Sequence, residues 1–284
     1  MTTPEYPTHP LLGRRVNHDP RSRAYRLSPA APVLRAVRHE GYIGILDQQI
    51  GCCTGCAGVN TVYRSPYFAQ TSQPWYYPAS LDGAVELYSA ATGIDPWPGQ
   101  WPPDDTGSDG LSIAKVLKTH GVISGYLHAF TVGDALAALM KTPLMTGLPW
   151  YNSMFDTDAA GHVKVDPKSG LAGGHELCVD EYVPAAGASP AMVGGPNSWS
   201  QGWGDRGRWY LTVEEWGTLL AQQGDVTALV PVMQPAPQPN PTYVADDADR
   251  TLWSAAGGWA RRDAICGRSH RRELMAWARS KGLA

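Results

Sequence analysis

Phenylalanine is nearly absent from this chain: 3 residues in 284, against 11 Trp and 13 Tyr. Charged side chains are sparse too, at 17% with a net charge of −3, so the chain as a whole lacks the basic surplus of a nucleic-acid binder. No apolar run approaches the ~18 residues a membrane span needs. Residues 1–10 are polar and proline-rich rather than a basic stretch leading into an apolar core, so neither a membrane segment nor an export signal is expected. The compartment stays open, with a cytoplasmic setting favoured. The cysteine count is five, an odd number that fits no disulfide framework when no export signal accompanies it. Glycine (31) and proline (24) together stay below the roughly 25–30% of a low-complexity chain, so the chain is expected to fold.

What is present is unevenly distributed. Three of the five cysteines, Cys52, Cys53 and Cys56, fall within five residues. Residues 1–37 are rich in Arg, Pro and Tyr with little periodicity and read as an extended N-terminal arm. Residues 38–233 form the main domain. Residues 53–63 hold almost only small and apolar side chains and read as a buried helix, which puts cysteine at a helix start. Further helices are expected at 82–92, capped by Asp82, at 111–120, capped by Ser108 or Asp109, and at about 133–141. The period then turns strand-like at 144–151, 163–165, 174–183 and 191–193. A capping box at 212–215 opens one more helix, and 225–232 reads as a last strand. Helices first and strands second is the order of an α+β protein.

The alternating prolines of 234–241 open a semi-rigid linker, taken as 234–249. Residues 250–284 carry eight Lys/Arg against two Asp/Glu, so the weak total of −3 joins an acidic body to a basic tail. That tail reads as a short helical appendage, docked on the main domain or offered to an anionic partner such as a virion component.

Chemistry concentrates in three segments: 46–57, with Cys53; 173–179, with His175; and 197–207, with Asn197. His175 and Asn197 follow Cys53 by 122 and 144 residues. A thiol nucleophile, an imidazole base and an amide that orients it are what thiol acyl transfer requires. A zinc reading of Cys53, Cys56, His175 and Cys178 is the weaker alternative. His175 and Cys178 stand at an odd separation, and on a strand they would face opposite sides.

The run Asn197-Ser198-Trp199, followed by Trp203-Gly204 and Gly207, resembles the asparagine motif of the papain-like cysteine peptidases. Residues 47–57 are similar to the nucleophile segment of their bacterial and phage branch. The resemblance spans about residues 38–232 and implies a two-lobed α+β fold, a helical lobe with Cys53 facing an antiparallel β-rich lobe with His175 and Asn197. It implies a thiolate at Cys53, favoured by the helix N-terminus and by an imidazolium at His175. Trp199 would cover the Asn–His hydrogen bond, and Gln48 would join the Cys53 N–H in an oxyanion hole.

Two departures leave alternatives open. Gln48 precedes Cys53 by five residues and Gln49 by four, where the family has six. Cys56 aligns with the reactive cysteine of plant-type members, although residues 54–57 favour Cys53. Gly107 and Gly110 fall where the family keeps a glycine-rich substrate loop, and a plain turn reads equally well there. No cofactor or metal is called for. The expected substrate is a peptide bond, in cell-wall peptide or in a phage or bacterial protein. The competing reading is an inactive papain-like scaffold, for instance in a virion.

Overall fold

A computed structural model describes residues 12–27, 33–67 and 77–232. The proline-rich linker and the basic tail called from the sequence lie outside the described residues, as do the first eleven residues of the arm.

Helix α1 (Cys53–Val62) has every residue buried, which its composition permits. A β-carbon on Gly55 would lie 2.1 Å from the Ala84 carbonyl oxygen of α2 (Leu81–Thr92). One on Gly58 would lie 2.7 Å from an Ile113 methyl of α3 (Gly110–Thr119). Glycine at 55 lets α1 meet the α2 backbone, and glycine at 58 makes room for the Ile113 and Leu87 side chains. Val59, Val62, Leu87, Ala91, Ile113 and Leu117 fill the space between them as the core of the helical lobe. The cap of α2 differs from expectation. Ser80, in extended backbone, accepts from the Gly83 N–H at 3.2 Å, while Asp82 sits inside the first turn where its charge suits the helix N-terminus. Asp109 caps α3, accepting from the Ser112 N–H at 2.8 Å.

The remaining chain makes two antiparallel sheets. One holds β2 (Ile123–His128), β8 (Asp225–Pro231), β3 (Leu144–Tyr151) and β4 (Leu171–Val179), in that order. The other runs β1 (Val37–Arg38), β5 (Glu181–Val183), β6 (Met192–Pro196) and β7 (Arg208–Thr212). Helices α4 (Val132–Leu139) and α5 (Val213–Ala221) pack with them, and α5 carries the expected Thr212/Glu215 capping box. Leu148, Trp150, Val179, Trp209, Leu211, Trp216 and Leu219 form this lobe's core. The three fully buried tryptophans supply the bulk that the few phenylalanines do not.

Three strand expectations shift. The single stretch 174–183 is two strands in different sheets, breaking at Asp180, whose carboxylate is buried between Arg64 and Arg208. Residues 163–165 form only an isolated bridge from Val163 to Thr157, closing a turn tied by Asp158. The strand at 191–193 extends to Pro196 and delivers the chain to Asn197.

Candidate active site

Asn197 emerges at the end of β6, in a segment folded back on the nucleophile turn. Its N–H donates to the Gly207 carbonyl at 2.8 Å, and Gly207 adopts a φ of +86°, the left-handed region that glycine enters without strain. The Gln48 N–H donates to Ser198 O at 2.8 Å and the Ser200 N–H to Leu46 O at 3.0 Å, zipping 46–48 to 198–200. Motif spacing thus becomes register.

The Asn197 Oδ1 accepts from its neighbour's N–H, Ser198, at 2.7 Å and faces His175 Nε2 at 2.8 Å. An amide oxygen only accepts, so the proton between them sits on Nε2 and the Nδ1 lone pair is left for another partner. Nδ1 is buried and has no hydrogen-bond partner within the described residues. Trp199 stacks on the imidazole, centroids 4.6 Å apart at 25°, and Trp150 meets it edge-on at 4.9 Å. Trp150 is therefore both core and imidazole wall, a second role that composition could not show.

Cys53 is the first residue of α1, and its sulfur is touched by the peptide N–H groups of Thr54 and of Glu176, the residue after His175. Cys56, one turn later, packs in the helical core with its Sγ 3.8 Å from that of Cys52. The structure thus brings Cys53 to the His175 strand and turns Cys56 away from it.

Of the two glutamines, Gln48 is fully buried and Gln49 exposed. Gln48 Nε2 donates to Ile50 O at 2.9 Å, and its Oε1 accepts from the Ser198 hydroxyl at 2.5 Å. Gln49 Nε2 turns back to Asp47 O at 3.3 Å. Ser198, the middle residue of the asparagine motif, thus links Gln48 to Asn197.

Residues 12–15 lie across this arrangement. The Gly13 and Arg14 N–H groups donate to Gly174 O at 3.2 and 3.0 Å, just before His175. On the other side Ser108 N–H donates to Gly13 O at 2.8 Å and Arg15 N–H to Ser108 O at 2.7 Å, a parallel bridge. Gly107, at φ +68°, packs under Gly13, and Gly110 faces Glu176. Residues 12–15 thus run in the groove between the 107–110 stretch and the His175 strand, and fill it.

Burial acts on both members of the pair. Cys53 and His175 both have 0% exposure. Burial pushes the Cys53 thiol well up, against the smaller help of two peptide N–H groups. Burial likewise pushes the imidazole down to about 4, its hydrogen bond to Asn197 recovering only part. Both shifts act in the same sense: burial favours the neutral thiol and imidazole, against the thiolate and imidazolium that the helix terminus and a charged partner would favour. The helix terminus is in place, but desolvation of charge outweighs it while the groove is filled.

Among the described residues no helix is long and apolar enough to cross a membrane, and no His/Cys/Asp/Glu group is arranged to hold a metal ion. No family model matches the sequence, and neither does any curated protein. Solved structures do match. The chain is similar to xylellain, a cysteine protease of Xylella fastidiosa, at 16% identity and a TM-score of 0.63, over 81% of this chain and 100% of that one. The Amb a 11 cysteine protease of ragweed pollen, in its proform, matches at 12% identity and a TM-score of 0.52, over 74% and 70% of the two chains. Digestive procathepsin L 3 of Tenebrio molitor larval midgut matches at 12% and 0.51, over 72% and 74%. Two lobes, one helical and one of antiparallel sheet, with these likenesses over most of the chain, identify the fold as that of the papain-like cysteine peptidases.

Proposed function

We propose that the protein is a cysteine peptidase acting through Cys53, His175 and Asn197. The observation that carries this is the His175–Asn197 pair: the 2.8 Å bond holds the proton on Nε2 and leaves a buried Nδ1 without a hydrogen-bond partner among the described residues, on the strand whose next peptide N–H approaches the Cys53 sulfur. With the groove open and hydrated, Nδ1 takes the thiol proton, and the thiolate attacks the peptide carbonyl carbon. The resulting oxyanion is assigned to the Cys53 N–H and to the Gln48 amide, whose Nε2 would turn to it from Ile50 O. The imidazolium then gives its proton to the departing amine, leaving an acyl thioester. Water, deprotonated by Nδ1, releases the acid and regenerates the thiol. Trp199 and Trp150 keep solvent from the Asn197–His175 bond throughout. Gly107 and Gly110 border the substrate groove.

The substrate class is a peptide or protein, with cell-wall peptide and phage or bacterial protein as the two candidates. Digestion of purified peptidoglycan beside a denatured protein, with Cys53→Ser and Cys56→Ser as controls, tests both points. Cleavage lost in Cys53→Ser and kept in Cys56→Ser supports the reading, and cleavage surviving Cys53→Ser refutes it. The fully covered thiol favours one competing reading, a papain-like scaffold without turnover. It predicts no cleavage by any variant, including those that open the groove. On either reading the basic residues 250–284 are proposed as a docking piece for an anionic partner such as a virion surface, which removal of that tail would abolish.

A further inference from the structure

The groove floor carries charge that hydrolysis does not use. Across the adjacent strands β8, β3 and β4, Asp225, Gly147 and Glu176 stand directly opposite one another. Cross-strand partners share a face, and strands are about 4.8 Å apart, so the two carboxylates flank a slot whose middle position has no side chain. A β-carbon on Gly147 would lie 2.5 Å from Arg14 Nε, 2.8 Å from Asp225 Oδ2 and 2.8 Å from Glu176 Oε2. At the α3 end, Gly110 leaves room in the same way, its β-carbon falling 2.6 Å from Glu176 Oε1.

Arg14 fills the slot. Its side chain is 1% exposed, it is paired with Asp225, and its Nη2 donates to Gln223 O at 2.7 Å. Glu176 is 1% exposed, yet neither of its carboxylate oxygens has a hydrogen-bond partner within the described residues. Burial and the nearby Asp225 and Asp109 push its carboxyl up, and Arg14 counters them. A buried acid with two vacant acceptors, a second carboxylate and a peptide carbonyl on the opposite wall match the planar fork of a guanidinium better than a point ammonium.

We propose that the slot between Glu176 and Asp225, floored by Gly147, is a specificity pocket for an arginine side chain of the peptide substrate, occupied in the closed form by Arg14. The substrate part rests on the peptidase reading; the pocket itself does not.

The test uses the full chain carrying Arg14→Ala, which vacates the slot. Two readouts separate the claims. First, millimolar methylguanidine should raise the Tm of Arg14→Ala by roughly 3 °C or more, leave the wild type unmoved, and be without effect when replaced by methylurea. Second, in fluorogenic peptides varied one position at a time, one position should favour Arg over Gln by at least about tenfold in kcat/KM. Adding Glu176→Gln with Asp225→Asn should cut that preference to below about twofold. Gly147→Val in the Arg14→Ala chain, which fills the slot without changing charge, serves if the double amide variant does not fold. If peptides are cut with no arginine preference, the proposal is overturned while the peptidase reading stands. If none is cut, the methylguanidine shift decides: its presence keeps the pocket and refutes the peptidase, and its absence refutes both.

Discussion

Arg14→Ala is also the perturbation that bears most directly on how the groove is shut. Arg14 is the one residue of 12–15 whose side chain meets the floor carboxylates, and truncating it leaves Asp225 and Glu176 under cover without their cation. Stranding one partner of a fully buried pair costs about 3–5 kcal/mol. Asp225 is 26% exposed, which screens the charge and lowers the expected cost to about 2 kcal/mol. Opening the groove hydrates both carboxylates and relieves that cost, so the closed-to-open ratio should fall about thirty-fold. Cys53 reports the change. Opening brings water to the His175 imidazole, now held down at about 4 by burial, and returns it towards its ordinary range, while the thiol comes down. Carbamidomethylation of Cys53 at pH 7, followed by peptide mass spectrometry, should therefore accelerate by roughly ten- to thirty-fold in Arg14→Ala. A rate within twofold of wild type, in a variant with unchanged circular dichroism, would refute the reasoning and show that residues 12–15 do not close the site.

Other outcomes follow from the same geometry. Asn197→Ala removes the acceptor of His175 Nε2; kcat should drop roughly 100-fold with KM little changed, and urea unfolding should show a loss of about 1–3 kcal/mol for the stranded buried N–H. His175 titrates lower in the fold than unfolded, so the unfolded chain binds more protons between about pH 4 and 6.5. Its contribution, up to about 3 kcal/mol, is full above that window and is lost as pH falls through it. The wild-type Tm should accordingly decline more steeply than that of His175→Gln between pH 6.5 and 4. Gly55→Ala drives a methyl against the Ala84 carbonyl and should cost about 1–3 kcal/mol in denaturant midpoint, with larger side chains at that position failing to fold. Trp199→Ala, which removes the ring stacked on His175, should cost about 3–5 kcal/mol in stability and lower kcat as well.

The parts of the site legible in the sequence were those whose signal is local. Cys53 begins a helix made of small residues, and the Asn197 segment needs its Trp and Gly within eleven positions. Both stand where that local signal put them. The helix starts were legible within a residue or two because capping is a short-range interaction, although Ser80 displaced Asp82 as the α2 cap. Strand β2, with a glycine at 125 and a register shift beside it, showed no alternation, and β7 hid behind the glycine-rich motif before it. The charged slot was not legible at all. Glu176 and Asp225 meet only because β3 pairs with both β4 and β8, a register set by the whole sheet, and Arg14 joins them from an arm without periodicity. The burial of Cys53 was equally hidden from the sequence. A helix N-terminus is local, but the burial that pushes the thiol up is a property of the whole fold around it.

The central claim is that Cys53 is a nucleophile activated by His175, and its pH-dependent alkylation tests this most directly. An ordinary thiol with a pKa of about 8.5 is less than about 1% thiolate at pH 6. In the groove-opened Arg14→Ala chain, Cys53 should react with iodoacetamide at pH 6 at least about tenfold faster than N-acetylcysteine, and His175→Ala should remove that advantage. A Cys53 that labels no faster than the free thiol in the opened, folded chain, or keeps its advantage without His175, would contradict the account.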